Sequence, residues 1–131
     1  MAKKEDFISV VQNGYQFAGT SIVLGGAMLD GEAIPGLQVK VPLRTMNRHG
    51  LIAGATGTGK TKSLQVIAEQ LAANGVPSLL VDIKGDLSGI AMPGIDNPKI
   101  TERAGKIGVS WHATGSSVEF LTLSGEKGAR L

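Results

Sequence analysis

One eight-residue stretch constrains this chain more than any other part of its sequence. Residues 54–61 read Gly-Ala-Thr-Gly-Thr-Gly-Lys-Thr, which matches the pattern G-x-x-x-x-G-K-[ST] of phosphate-binding loops. Gly54 and Gly59 permit backbone angles that a Cβ would forbid, and the successive N–H groups of such a loop form an anion site. Lys60 supplies a positive charge for the β- and γ-phosphates. The Thr61 hydroxyl offers an oxygen ligand that suits Mg²⁺.

The residues on either side of the motif have the pattern expected around a phosphate-binding loop. Residues 51–53 form a short apolar run that predicts a buried strand. Residues 62–74 carry apolar side chains at helical spacing, and Gly75 follows as a helix stop. The helix would turn its positive end toward the phosphates. We therefore predict that a nucleotide contacts Gly54, Ala55, Thr56, Gly57, Thr58, Gly59, Lys60, Thr61 and Lys62. A glycine-rich loop without a ligand is the alternative.

Composition limits the class of protein. The chain has 131 residues, enough for one domain with a modest core, and no cysteine, which excludes a disulfide framework and a thiolate metal site. A net charge of +2 neither demands nor excludes a nucleic-acid partner. No apolar stretch approaches the roughly 18 residues of a membrane span, and the N-terminus has no apolar signal core. A soluble, cytoplasmic protein without a membrane partner is expected.

The first 46 residues differ in pattern from the rest. Residues 7–11, 21–24 and 37–41 are strand candidates, and the last of these alternates cleanly. Several glycines punctuate this segment, and Pro35-Gly36 predicts a turn. We expect residues 1–46 to form a small β-rich module ahead of a phosphate-loop domain at 47–131.

The segment after the phosphate loop alternates between strand and helix patterns. Residues 76–82 predict a buried parallel strand that ends in a carboxylate. A helix is predicted from Pro98 to about Lys106, with Asn97 as its N-cap, and residues 109–111 and 118–123 are late strand candidates. This order predicts an α/β fold, the parallel sheet of a RecA-like P-loop NTPase. Because each βα unit takes about 30 residues, we expect an incomplete sheet and suspect a fragment.

Asp82 and Asp86 admit three interpretations. An apolar run ending in Asp82 resembles a Walker B strand, whose carboxylate holds Mg²⁺. Residues 82–85 also match the D-x-x-G of GTPase switch II, although the spacing leaves no room for switch I and no N-K-x-D is present. In the third interpretation both aspartates belong to the loop after the second strand. Asp82 could also cap a nearby backbone N–H, and Asp86 could be a solvated loop charge.

Together these residues resemble a known family. Asn47-Arg48-His49-Gly50 before the phosphate loop, Gly75-Val76-Pro77 after its helix, and Asp82-Ile83-Lys84-Gly85-Asp86-Leu87-Ser88-Gly89 are similar to the bacterial HerA-like ATPases, relatives of the HerA and FtsK DNA translocases. The resemblance is strongest over residues 47–92. Such families carry D-x-x-G-[DE] on the second strand, which favours the third interpretation. The resemblance implies ATP, Mg²⁺ bound by Thr61, a homo-oligomeric ring that is a hexamer, and DNA as the track. The family's Walker B carboxylates, polar sensor and arginine finger have no match here.

The sequence therefore favours the ATP-binding part of a HerA/FtsK-like motor ATPase. In this hypothesis Lys60 offsets phosphate charge, and Asp82 or Asp86 orients water or the metal, so these three residues are the catalytic candidates. One alternative is a small-molecule kinase. It would need clustered arginines, but Arg103 and Arg130 are the only ones after the loop. A nucleotide-binding module without turnover is the other alternative.

Overall fold

The computed structural model describes residues 2–125 and 128–130. Three helices and four strands follow one another in the order α1 (Ala2–Gly14), β1 (Ser21–Leu29), β2 (Glu32–Pro42), α2 (Lys60–Ala73), α3 (Pro98–Ile107), β3 (Leu121–Thr122) and β4 (Ala129–Arg130). Short 3₁₀ turns lie at Leu43–Thr45 and Ser88–Ala91. In this described part of the chain, every helix is too short or too polar to cross a lipid bilayer.

The centre of the structure is the antiparallel hairpin of β1 and β2. Its turn consists of Asp30 and Gly31, which both have positive φ values, 51° and 83°. Two consecutive residues with positive φ form a type I′ turn, whose twist matches that of the two flanking strands, and Asp-Gly is a preferred pair in this turn. The turn predicted at Pro35-Gly36 is therefore wrong, because these two residues lie inside β2.

Pro35-Gly36 instead marks an irregularity in the strand. Gly26 pairs with Gln38 but Met28 pairs with Ala33, so β2 carries extra residues between these two pairs. Proline has no N–H to give to a ladder, and Gly36 adopts a φ of 75°. Both properties suit residues that bulge out of a strand. The two residues were predicted to form a turn, but they produce a bulge within β2 and not a chain reversal.

The helices pack on this hairpin. α2 contacts β1, α3 contacts mainly β2, and α1 contacts both strands. The buried apolar side chains come from these elements and from one loop residue, and they are Ile22, Ala27, Leu37, Ala68, Leu87 and Ala104. The core is small, since three of these six side chains are alanine.

A glutamine side chain holds α2 on the hairpin. Gln70 accepts a hydrogen bond from the Val23 N–H through Oε1 and donates to the Val23 carbonyl through Nε2, both at 2.6 Å. At Val23, the Gln70 carboxamide therefore makes the two hydrogen bonds that the backbone of a further strand would make with β1. Because the phosphate-binding motif leads directly into α2, this contact also fixes the loop relative to the hairpin.

The helix predicted from Pro98 is confirmed as α3 (Pro98–Ile107). The Asn97 side chain accepts from the Lys99 N–H at 2.9 Å, as expected of an N-cap. The helix ends at Gly108 in the left-handed conformation, with φ 69°. A Cβ on Gly108 would collide with the backbone nitrogen of Gly36, so glycine is required where α3 meets the bulge of β2.

The strand predicted at residues 7–11 is wrong, because this segment lies within α1. Phe7, Ile8 and Val11 are half-buried, while Ser9 and Val10 between them are exposed. Phe7 and Ile8 thus lie four and three residues before Val11, which is the spacing of one helix face. The abundance of β-branched residues suggested a strand, but the side of the segment that faces the hairpin follows a helical period.

The predicted parallel sheet of a RecA-like P-loop NTPase is also wrong. Over residues 2–125 and 128–130 the structure has a small α/β arrangement with two separate sheets, the β1–β2 hairpin and the two-stranded parallel pair of β3 and β4. The candidate strands at 51–53, 76–82 and 109–111 pair with no strand, and only Leu121–Thr122 of 118–123 does. Leu79 and Val81 are 78% and 84% exposed. A buried parallel strand requires neighbours on both edges and cover on both faces, and these residues have neither.

Candidate phosphate-binding site

The phosphate-binding motif forms a tight turn that opens α2. Gly57 and Gly59 have φ values of 81° and 91°, and Gly59 is the N-cap of the helix. These are left-handed angles that a Cβ disfavours. The predicted helix is confirmed but begins at Lys60, two residues earlier than expected, and it stops at Asn74 before Gly75. Lys60 and Thr61 therefore form the first turn of α2.

Gly54 has a different reason for being glycine. Its φ is not in the left-handed region, contrary to the expectation from the motif. A Cβ on Gly54 would instead lie 2.5 Å from Oγ1 and 3.4 Å from Cβ of Thr58. Real side chains do not approach this closely, so a Cβ at residue 54 would force the Thr58 hydroxyl out of its hydrogen bond with the Ala55 carbonyl.

The carbonyl oxygen of Ala55 organises the inside of the loop. It accepts hydrogen bonds from the Thr58 N–H at 3.4 Å, from Thr58 Oγ1 at 2.8 Å and from Lys60 Nζ at 2.7 Å. The Lys60 side chain is thus folded back over its own loop. The two side-chain contacts with Ala55, from Thr58 Oγ1 and Lys60 Nζ, are exposed and hence weak.

The remaining donors of the loop are available to an anion. Within residues 54–61, only the Thr58 N–H donates to another backbone group. Because α2 begins at Lys60, the N–H groups of Lys60, Thr61 and Lys62 have no carbonyl acceptor within the helix. Free N–H groups, a helix N-terminus and an ammonium group together suit a phosphate chain. The described residues hold no cluster of three or more His, Cys, Asp or Glu side chains, so Mg²⁺ would depend on the Thr61 hydroxyl, phosphate oxygens and water, which are ligands it accepts.

The second predicted element, the loop at residues 82–89, is folded around the Asp82 carboxylate. Oδ1 accepts from the N–H groups of Lys84 and Gly85 at 3.1 and 2.9 Å, and Oδ2 accepts from that of Leu87 at 2.7 Å. The Leu87 hydrogen bond, helped by the other two, lowers the pKa of the Asp82 carboxyl below its ordinary 3.8. All of these partners belong to its own loop. The structure therefore gives Asp82 the capping role that was one of the alternatives from sequence.

Gln65 brings Asp86 to the phosphate-loop helix. Its Nε2 donates to the Asp86 carbonyl at 3.2 Å, and its Oε1 accepts from Lys62 Nζ at 2.9 Å. Asp86 takes part in no ion pair within the described residues, where Lys106 and Glu102 form the single salt bridge. Sequence reasoning missed Gln65, because nothing in the pattern of residues 62–74 distinguishes it from other polar residues of the helix.

Comparison with known proteins agrees with the resemblance seen in the sequence. The family model described as helicase HerA-like C-terminal matches residues 28–131, which is most of the chain. The chain therefore belongs to the helicase HerA-like C-terminal family. The match begins within β1, so it includes β2 as well as the phosphate loop and the loop at 82–89. Comparisons with curated proteins and with solved structures found no match.

Proposed function

We propose that this chain is the ATP-binding part of a HerA/FtsK-like motor ATPase. The observation that carries the proposal is the turn at residues 54–61, which opens α2 with several backbone N–H groups that have no backbone acceptor and with the Lys60 side chain folded over it. Membership of the HerA-like family supports ATP as the phosphate compound. Within this proposal residues 47–131 provide the nucleotide site, and residues 1–46 form an accessory module in contact with it through Gln70.

The chemistry assigned to the site is attack of water on the γ-phosphate. In such reactions catalysis comes from positioning and from stabilising charge, since the phosphoryl group itself does most of the bond making and breaking. Lys60 would offset negative charge on the phosphates. The Thr61 hydroxyl would hold Mg²⁺, which neutralises charge on the phosphate oxygens when bound. Asp86 is the better candidate to orient water or the metal, because the Asp82 carboxylate is engaged by three backbone N–H groups.

The same engagement of Asp82 supports a second candidate function, nucleotide binding without turnover. A carboxylate that already accepts three hydrogen bonds is a weak base, and its lowered pKa makes it weaker. Asp86 would then be the one acidic residue of this loop that is left for chemistry. Binding and hydrolysis should therefore be measured separately.

The test is titration of the protein with ATP and Mg²⁺ by isothermal calorimetry. Wild-type protein should bind, and Lys60→Ala should weaken binding by a factor of about 10 or more, because a charge-assisted contact is lost. Lys99→Ala is the matched control, since Lys99 is an exposed lysine at the start of α3. Absence of ATP binding, or equal affinity for wild type and Lys60→Ala, would contradict the proposal.

DNA and oligomeric state form the broader part of the proposal. HerA-family ATPases generally use ATP with Mg²⁺ and are generally oligomeric and associated with DNA. We extend this to a cytoplasmic homo-oligomeric ring, a hexamer, that translocates DNA. Sedimentation velocity with and without ATP and Mg²⁺, followed by ATPase assays with added duplex DNA, would test it. A monomer under all conditions whose ATPase ignores DNA would contradict it.

A further inference from the structure

The acidic loop is held together at three places. The Asp82 carboxylate closes the backbone of residues 84–87, and Leu87 is buried, with 7% of its surface exposed. The third contact is the hydrogen bond from Gln65 Nε2 to the Asp86 carbonyl. The first two determine the shape of the loop. Among the described residues, only the Gln65 contact joins the loop to α2 by a hydrogen bond.

The orientation of the Gln65 carboxamide follows from its two partners. Lys62 Nζ can only donate, so the atom that faces it must be the oxygen. The nitrogen is then left to face the Asp86 carbonyl, which can only accept. The arrangement needs an amide at position 65, since neither a carboxylate nor an apolar side chain can satisfy both partners.

Gln65 lies one helical turn beyond Thr61. Residues four apart lie on the same face of a helix, about 6 Å apart along its axis. The Asp86 carbonyl is therefore bonded to a side chain that lies one turn along α2 from Thr61, whose hydroxyl is assigned to Mg²⁺. Asp86 forms no ion pair in the described part of the chain, so no basic side chain there neutralises its negative charge.

We propose that Gln65 is a positioning residue that keeps the Asp86 carboxylate beside the metal-binding turn of α2 and so strengthens Mg²⁺-dependent nucleotide binding. Outer-sphere carboxylates of this kind hold metal-bound water by hydrogen bonds and raise metal affinity. The inference rests on the proposed function, because it requires that ATP and Mg²⁺ bind at residues 54–61. It adds a residue that the phosphate-loop motif does not include.

The experiment measures ATP affinity in Mg²⁺ and in EDTA for four proteins: wild type, Gln65→Met, Asp86→Asn and the double variant. Methionine keeps the length of glutamine without its hydrogen bonds or a new charge. We expect each single variant to lower the gain in affinity from Mg²⁺ about three- to tenfold, with affinity in EDTA unchanged. The double variant should show the same gain in affinity from Mg²⁺ as Asp86→Asn, because both substitutions act through the same carboxylate. Gln12→Met, at an exposed glutamine of α1, is the control.

Amide hydrogen exchange separates positioning from unfolding. In Gln65→Met the Leu87 amide should stay as protected as in wild type, since Asp82 still closes the loop. The inference is overturned if Gln65→Met leaves the Mg²⁺ gain intact, lowers affinity equally in EDTA, or adds its effect to that of Asp86→Asn. If wild-type protein shows no Lys60-dependent ATP binding, both proposals fail; if it does and only Gln65→Met is without effect, the proposed function stands.

Discussion

The phosphate loop at residues 54–61 and the acidic loop at residues 82–89 are built alike but differ in one respect. Each turns through glycine at a left-handed angle, with φ of 81° at both Gly57 and Gly85. Each contains several backbone N–H groups that have no backbone acceptor. In the acidic loop a carboxylate of the chain, that of Asp82, receives three of them. In the phosphate loop only the Thr58 N–H has a backbone acceptor.

The difference shows how a chain separates structure from binding. N–H groups gathered at one point attract an anion. A loop that contains its own anion can keep its shape without a ligand, whereas a loop without one offers the same donors to phosphate. Three kinds of substitution should therefore affect the two loops differently. They remove the Asp82 carboxylate, add a side chain at Gly54 inside the phosphate loop, or strain the left-handed glycine of either loop.

The largest effect is expected for Gly54→Ala. The added Cβ would overlap Thr58 Oγ1 at 2.5 Å, so the hydroxyl must leave its hydrogen bond with the Ala55 carbonyl and the loop loses this closure. ATP affinity should fall by a factor of about 10 or more, as for other severe steric changes at a site. Gly50→Ala is the matched control, because no atom lies within 4 Å of its Cβ. Calorimetric titration of both variants checks the prediction, and equal affinities would show that contact between residue 54 and Thr58 does not matter for binding at the phosphate loop.

The next effect is expected for Asp82→Asn. An amide can accept hydrogen bonds through one oxygen only, so the acidic loop loses part of its closure. Amide exchange at Lys84, Gly85 and Leu87 should accelerate by a factor of about 10. The amides of residues 57–61 should exchange as in wild type. If the acidic loop retained its protection, Asp82 would not be the anion that shapes it.

A matched pair of glycines sharpens the comparison further. Gly57→Ala and Gly85→Ala place alanine at the same φ of 81°, and neither Cβ meets an atom within 4 Å. Each should lower the free energy of unfolding by about 1 kcal/mol, the cost of a left-handed residue with a Cβ. Only Gly57→Ala should also weaken ATP binding. Thermal denaturation and titration measure the two quantities, and a loss of affinity in Gly85→Ala would contradict the division of roles.

The smallest effect is expected when the pH is changed near neutrality, because the Asp82 carboxylate that shapes the acidic loop stays ionised there. The pKa of the Asp82 carboxyl is lower in the folded protein than its ordinary 3.8, chiefly because of the Leu87 N–H. Its contribution to stability is therefore complete above pH 3.8 and is lost as the pH falls through the lowered pKa. We expect the Leu87 amide shift to be constant from neutral pH down to about pH 5 and to change only in stronger acid. A transition between pH 5 and 7 would contradict the assigned hydrogen bonds.

Local signals in the sequence predicted the parts of the molecule that depend on local interactions. Asn97, Pro98 and Gly108 marked the ends of α3, and Gly75 marked the end of α2, because caps act within a few residues. The phosphate loop was located by its glycines and Lys60. Whether a nucleotide binds there stays a prediction.

What the sequence did not reveal depends on contacts between distant residues. Residues 76–82 have the composition of a buried strand, but a strand requires a partner, and composition does not name one. Gln65 meets Asp86 and Gln70 meets Val23 across 21 and 47 residues. A single polar residue on a helix is ordinarily solvated, so nothing in the pattern distinguished these two glutamines from others.

The Gln70 contact also limits how β1 can associate with other chains. An edge strand offers unpaired N–H and carbonyl groups, and another strand can extend the sheet by pairing with them. At Val23 both groups are already bonded to the Gln70 carboxamide. A strand arriving at this edge would have to displace α2 before its ladder could pass Val23. The helix that carries the phosphate loop thus also protects the hairpin from edge-to-edge aggregation.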